Sequence, residues 1–431
     1  MGDWLGDVPE GGWKASHSWR MPEWVEPIII VSILFPAMYM TRRRNYSVLG
    51  RSKGYRLLGD IEHSPPPLSS DGFELLPRPD AHPPKRRHLC GLVPILMPNS
   101  SRFAQNVHSR ILQKFPFLVE MFYWSLALGL YRATGAICQL MYGGQRTMWD
   151  SATQFGLSLL DVEAYLWGGD YEGPERWLEW RIQRWLLRGS EAGDWRVWLL
   201  TVLNRGYALI HIPGAVGFIS YYYATAPTHR RFCAVRRTLT LTNILAFVCF
   251  TFIPTCPPRL LDERYGFVDT VNLESAASVW MSGKFVNKLA AFPSMHFGYA
   301  FGIGCVFVSD SGVLHSITSR AFRHVLASRN EVGSGFEYEE EERLLSRRSP
   351  LSRYLMFGFG IFYPLWILLT IVGTANHYFI DALAAVFTVL VAYVCNRFLL
   401  VFMPLEDLLL WAWRLEKPVP TTGRMKNLTV E

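Results

Sequence analysis

Seven stretches of this chain are apolar for long enough to approach or reach the width of a bilayer: Pro27–Met40, Phe115–Leu140, Val197–Tyr223, Leu239–Ile253, Phe292–Val308, Tyr354–Thr374 and Tyr378–Met403. A helix crossing the hydrocarbon core needs about 20 mostly apolar residues. In lipid the backbone must satisfy its own hydrogen bonds, which leaves helices as the economical solution. The expected fold is therefore all-α, a polytopic membrane protein with about seven transmembrane helices. Composition agrees: 50% of the 431 residues are hydrophobic and 18% are charged, against about a quarter charged in a soluble domain. The first stretch is short for a span. The fourth is short too, but Thr238 and the run to Cys256 extend it.

The net charge of +7 raises nucleic acid as a partner, yet no zinc-finger, basic-zipper or aromatic RNA-binding pattern accompanies it. The cations cluster instead beside the apolar blocks, as they do on the cytosolic side of membrane proteins. Arg42–Arg44, Lys85–Arg87 and the run THRRFCAVRR at 228–237, read as the loop after the third span, fix the cytosolic segments. The N-terminus is then outside and the C-terminus inside, while residues 141–196 and 254–291 face the lumen or exterior. Glycosylation-type triplets at Asn45, Asn99 and Asn427 fall on the cytosolic side and are expected to stay unmodified. The seven cysteines are scattered without a Cys-x-x-Cys pair, which indicates neither a disulfide framework nor a zinc site. The first 27 residues lack the basic start of a signal peptide.

The chain divides into an N-terminal segment (1–41), a basic, proline-rich linker read as disordered (42–115), a membrane-embedded core (116–403) with a cytosolic insert (309–353), and a C-terminal cytosolic tail (404–431). Within the core, PERWLEWRIQRWLLR at 174–188 reads as amphipathic, with Trp177, Trp180, Ile182, Trp185 and Leu186 on one face and arginines opposite. That pattern suits a helix lying in the membrane interface; a surface helix of the packed bundle is the alternative.

Three polar clusters fall on the same side of the membrane in this topology: PTCPPRL at 254–260, PSMH at 293–296 and NHYFID at 376–381. His377 and Asp381 are four apart, neighbours on a helix. The carboxylate can hold one imidazole nitrogen and leave the other to act as nucleophile or base. Helix N-termini beside both histidines suit a phosphate, and Pro293 suits a first-turn position. The Ser294 hydroxyl can donate to a phosphate oxygen, and Arg259 can clamp one with its planar fork. His296 can protonate a leaving oxygen near neutral pH. These groups fit phosphoryl transfer through a covalent phosphohistidine, with no metal or other cofactor required. Lys288 and His211 are candidate substrate contacts. Arg264 and Asp269 read as solvated loop residues, and Asn204, Tyr207 and His211 as interhelical hydrogen-bonding groups.

PSMH resembles the Pro-Ser-Gly-His motif of the type 2 phosphatidic acid phosphatase superfamily, and HYFID its His-x-x-x-Asp motif. RRFCAVRRTLTLTNILAFVCFTFIPTCPPRLL at 230–261, GFVDT at 266–270, NKLAAFPSMH at 287–296 and NHYFIDALAA at 376–385 are more similar to its inositolphosphotransferase branch, which includes inositol phosphoceramide synthases. The resemblance covers roughly residues 116–403. It implies a six-helix core, His377 as nucleophile oriented by Asp381, His296 as general acid, and Arg259 and Ser294 on phosphate. It departs from the phosphatase pattern where Phe252 and Ile371 stand in place of cations, and from the synthases where Arg259 and Leu260 replace aromatics.

The expected function is thus transfer of a phospho-headgroup, phosphoinositol from phosphatidylinositol to a ceramide-like lipid. Its partners are phospholipid and sphingolipid substrates, in the Golgi or another endomembrane with the site facing the lumen or exterior. A lipid phosphate phosphatase using water is the alternative within the same chemistry. A proton-coupled transporter is the alternative of another class, although the chain shows no repeated halves. A single His-x-x-x-Asp is a poor metal site.

Overall fold

The computed structural model describes residues 24–49, 82–89, 93–188, 195–270, 287–313 and 348–423. It is mostly helical: α1 (Val25–Met40), α2 (Val107–Lys114), α3 (Leu118–Met141), α4 (Gln145–Trp167), α5 (Leu178–Leu187), α6 (Trp195–Thr225), α7 (His229–Phe252), α8 (Met295–Ser311), α9 (Pro350–Gly373), α10 (Phe379–Cys395) and α11 (Met403–Ala412). One antiparallel hairpin, β1 (Lys85–Leu89) and β2 (Val93–Met97), and five 3-10 helices, one of them Pro258–Leu260, complete the described elements. Among the described residues three helical stretches are long and apolar enough to cross a membrane: His229–Phe252, Pro350–Gly373 and Phe379–Ala412. Pro27–Met40 is a shorter apolar helix.

Local sequence sets the helix ends. Thr228 caps α7 by accepting from the Arg231 N–H at 3.2 Å, Ser294 caps α8 by accepting from Phe297 N–H at 3.2 Å, and Ser349 caps α9 ahead of Pro350. Gly312 ends α8 with φ 66°, a left-handed conformation that glycine adopts at little cost. Helices α8 and α9 pack along an extensive contact with a close backbone approach. Pro364 lacks the N–H that would bond the Gly360 carbonyl, and that carbonyl faces Gly304. A Cβ on Gly304 would sit 2.4 Å from it, so only glycine lets these backbones meet. Around this crossing, Phe117, Tyr223, Phe232, Ile303 and Ile371 form the centre of the buried core.

Side-chain ties give the helix directions. Arg231 at the start of α7 pairs with Asp310 at the end of α8, and Arg237 donates to Asn396 beyond the end of α10. Ser294 N–H donates to the Asp381 carbonyl, joining the starts of α8 and α10. The loops carrying the polar clusters therefore gather at one end of the bundle. The tails gather at the other, where Thr421 bonds Tyr223 and the Thr41 carbonyl.

Four differences from the sequence reading have physical causes. First, the second half of the 42–115 linker is structured. The hairpin and α2 are held by the C-terminal tail through Arg87–Asp407 (2.7 Å) and Gln113–Glu416 (3.1 Å), partners more than 300 residues away. Second, the basic run 228–237 is the first turns of α7 and not a loop. Third, the connection 141–196 contains two helices. Fourth, its amphipathic segment does not lie free in an interface: α5 packs on α6 and α9. Glu179, Gln183 and Arg184 are buried on the face expected to be polar and exposed, with Arg184 donating to Gly266 O and Gln183 to Val268 O. Residues 314–347 of the insert, and Asn427, lie outside the described residues.

Candidate active site

Three loops are stitched together by their backbones. Thr255 N–H donates to Leu289 O at 2.8 Å, and Ala291 N–H returns to Thr255 O at 3.3 Å. Arg259 N–H donates to Ala375 O at 2.9 Å, and the Tyr378 hydroxyl to Cys256 O at 2.6 Å. Helix α4 braces this arrangement from outside. Its Ala152 carbonyl accepts from Cys256 N–H at 3.0 Å, and Gly156 leaves room for Tyr378, whose oxygen would lie 2.4 Å from a Cβ there.

His377 is 3% exposed and sits just before α10. Its Nδ1 lies 2.8 Å from the Ala291 carbonyl and 3.3 Å from Asp381 Oδ2. A carbonyl can only accept, which assigns the proton to Nδ1 and a lone pair to Nε2. Nε2 is buried and has no hydrogen-bond partner among the described residues. Asp381 is fully buried, and its Oδ2 also accepts from Tyr378 N–H at 2.9 Å, so the carboxylate holds the ring and the helix start together.

The His296 ring is 5.5 Å from that of His377, centroid to centroid, and stacks on Tyr207 of α6 at 4.3 Å. Arg259 is held by Asp269, with Nη1 3.0 Å from both carboxylate oxygens, while its Nε is buried and without a partner. Ser294 is buried, and its hydroxyl oxygen caps α8, which puts Pro293 before the cap and not in the first turn expected for it.

The structure thus brings together His377, Asp381, His296, Ser294 and Arg259. Lys288 is exposed on the 287–291 segment, and the His211 side chain lies outside the described residues. Two residues read as bland from sequence are in the site: Asp269 holds Arg259, and Tyr207 supports His296. Asn204 accepts from Thr270 at 3.0 Å. Arg264 is exposed beside Asp262.

Sequence reasoning missed Glu163 and Glu179 altogether. Glu179 Oε1 accepts from Phe379 N–H at 2.6 Å and Glu163 Oε1 from Ile380 N–H at 2.7 Å. Burial, then the neighbouring Glu179 carboxylate, push the Glu163 carboxyl up to about 10.

Comparison with curated proteins and with solved structures finds no match. A family model does match, from the residues just before α5 to the end of α10, and it takes in all five of the residues brought together at the site. Over residues 174–319 and 345–395 the chain fits the family described as the PAP2 superfamily, which supports its membership of that superfamily and, with the apolar helices, an integral membrane protein.

Proposed function

We propose that this protein is a lipid phosphotransferase of the inositolphosphotransferase type, moving phosphoinositol from phosphatidylinositol to a ceramide-like lipid through a phosphohistidine. The observation that carries the reading is the state of His377. Its Nδ1 proton is engaged by a carbonyl and a carboxylate, and its Nε2 lone pair is buried and unengaged.

In the proposed reaction Nε2 attacks phosphorus, and the bond from phosphorus to the diacylglycerol oxygen breaks. His296 gives its proton to that oxygen, and diacylglycerol leaves. The acceptor hydroxyl then attacks the phosphohistidine, returns a proton to His296 and frees His377. Asp381 steadies the charge that develops on the imidazole. Arg259 and the first N–H groups of α8 hold the equatorial oxygens.

The scarcity of positive charge favours a diester donor. Ile371, where phosphatases carry a cation, is fully buried in the core, Phe252 is exposed at the end of α7, and Arg259 already faces Asp269. A phosphomonoester carries about −1.5 to −2 at neutral pH, whereas a diester carries a single charge. The basic segments at the opposite end of the bundle support a site facing the lumen or exterior.

The test is a lipid mass-spectrometry assay on membranes holding the wild type or His377→Ala, given phosphatidylinositol, ceramide and phosphatidic acid with a chelator present. Inositol phosphoceramide formed by the wild type and absent with the variant is the expected result. Diacylglycerol released from phosphatidic acid to water would make the protein a phosphatase. Products indifferent to His377 would overturn both.

A further inference from the structure

The first turn of a helix leaves backbone N–H groups without intrahelical partners. At the start of α10 three successive ones are each taken by a different carboxyl group: Tyr378 by Asp381, Phe379 by Glu179 and Ile380 by Glu163. Glu163 comes from α4 and Glu179 from α5, so the pair reaches across from the covering helices to the segment that carries His377. Both glutamates are 0% exposed, and among the described residues no cation pairs with either.

Two fully buried ionised carboxylates side by side with no cation paired to either are strongly disfavoured. Each has one oxygen on an α10 amide. The other oxygen of each, Oε2, is buried and has no donor. One proton between the two side chains removes both deficits at once. We propose that Glu163 and Glu179 share a single proton and act as one positioning pair, fixing the first turn of α10 and, through Asp381, the ring of His377.

The raised affinity of Glu163 for its proton agrees with this arrangement. The groups that face it are Glu179 from α5, Asp381 from α10 and the Ile380 amide; the Tyr378 phenol also feels both glutamates. Each of those side chains is neutral when protonated and negative when not, so none offsets a second charge on the pair. Ionising the pair would set two like charges against each other under the helix start. The turn would shift, and the hold of Asp381 on Nδ1 would loosen.

The catalytic half of this inference rests on the phosphotransfer reading, so the experiment has two arms. In the first, infrared spectra of the purified full chain in nanodiscs at neutral pH are compared between wild type and Glu163→Gln. The expected result is a protonated-carboxyl band in the wild type that the variant lacks. In the second arm, His377-dependent lipid turnover is followed against pH. Glu163→Ala is expected to lower kcat about 10- to 100-fold, the range for removing a group that orients a reactive residue, with KM little changed. Glu163→Gln supplies a permanently neutral amide, so it should recover most of that loss and lack the wild type's alkaline decline. An infrared band untouched by Glu163→Gln would overturn the shared proton. A Glu163→Gln pH profile identical to wild type, or full kcat in Glu163→Ala, would overturn the positioning role. If no lipid gives His377-dependent turnover, the phosphotransfer reading fails while the infrared arm still decides the pair.

Discussion

Arg259 Nη1 stands 3.0 Å from each oxygen of Asp269, so the cation proposed to hold a phosphate is already held by a carboxylate. This pair predicts an asymmetry. Arg259→Ala should lower kcat/KM about 100- to 1,000-fold, as loss of a transition-state donor does. Arg259→Lys should fail to recover it, because an ammonium cannot reproduce the fork. Asp269→Asn should cost about 10-fold, since it loosens the arginine without removing it. Steady-state turnover of phosphatidylinositol with the three variants checks the order. Equal losses in Asp269→Asn and Arg259→Ala would contradict it.

Tyr207 stacks on His296 at 4.3 Å and lies 6.3 Å from His377, edge to face. Tyr207→Phe keeps the ring and should retain most activity, whereas Tyr207→Ala should lose about 10-fold through disorder of the general acid. The separating measurement is the acid–base profile of kcat. Tyr207→Ala should shift the limb assigned to His296, and Tyr207→Phe should leave it in place.

Gly156 has no room for a side chain, because a Cβ would lie 2.4 Å from the Tyr378 oxygen and 2.8 Å from Cys256 O. Gly156→Ala should destabilise the protein by about 1–3 kcal/mol, the range for overpacking a tight site. Combining it with Tyr378→Phe removes one of the two clashes. The double variant should therefore melt higher than the sum of the single effects. Simple additivity in thermal unfolding would rule the contact out.

Glu163 sets a pH dependence of stability whose sign follows from its raised proton affinity. The folded protein keeps this proton to about pH 10, whereas the ordinary carboxyl releases it near 4.5. Between those values the folded state binds more protons, so stability falls as pH rises. The contribution is fully present below about 4.5 and gone above about 10. Melting temperatures across that window should decline less steeply in Glu163→Gln than in wild type, and parallel slopes would refute the assignment.

Much of the architecture was legible because lipid solvation writes itself into long apolar blocks. Six of the seven blocks fall on the helices α1, α3, α6, α7, α8 and α9, and the seventh runs from α10 through a 3-10 stretch to the first residue of α11, while among the described residues only three helical stretches have the length and hydropathy of a span. The start of α7 was not legible, since Arg230, Arg231, Arg236 and Arg237 read as a loop while the helix continues through them. The hairpin at 85–97 was hidden because its partners lie in the C-terminal tail. His377 and Asp381 were picked out by their spacing of four, but not as neighbours on one helix: His377 precedes the Tyr378 cap of α10, and the capping carboxylate of Asp381 brings the two together. Glu163, Glu179 and Asp269 did not, because a lone acid looks solvated until the fold supplies its N–H or guanidinium partner. Asp269 had a signal available in GFVDT, ten residues after Arg259. Glu163, outside the matched family region, had none.

Arg353 at the start of α9 donates through Nε to Ser311 O at 2.9 Å and through Nη2 to Gly312 O at 2.8 Å, while Arg348 reaches the Asp310 carbonyl at 3.2 Å. The two ends of the long connection between α8 and α9 are therefore riveted side by side, independently of what joins them. Lengthening a loop whose ends are already fixed costs only logarithmically in entropy. The polypeptide can accordingly be opened there, or carry a reporter domain, and two fragments meeting at that point would recognise each other through the Gly304–Gly360 crossing.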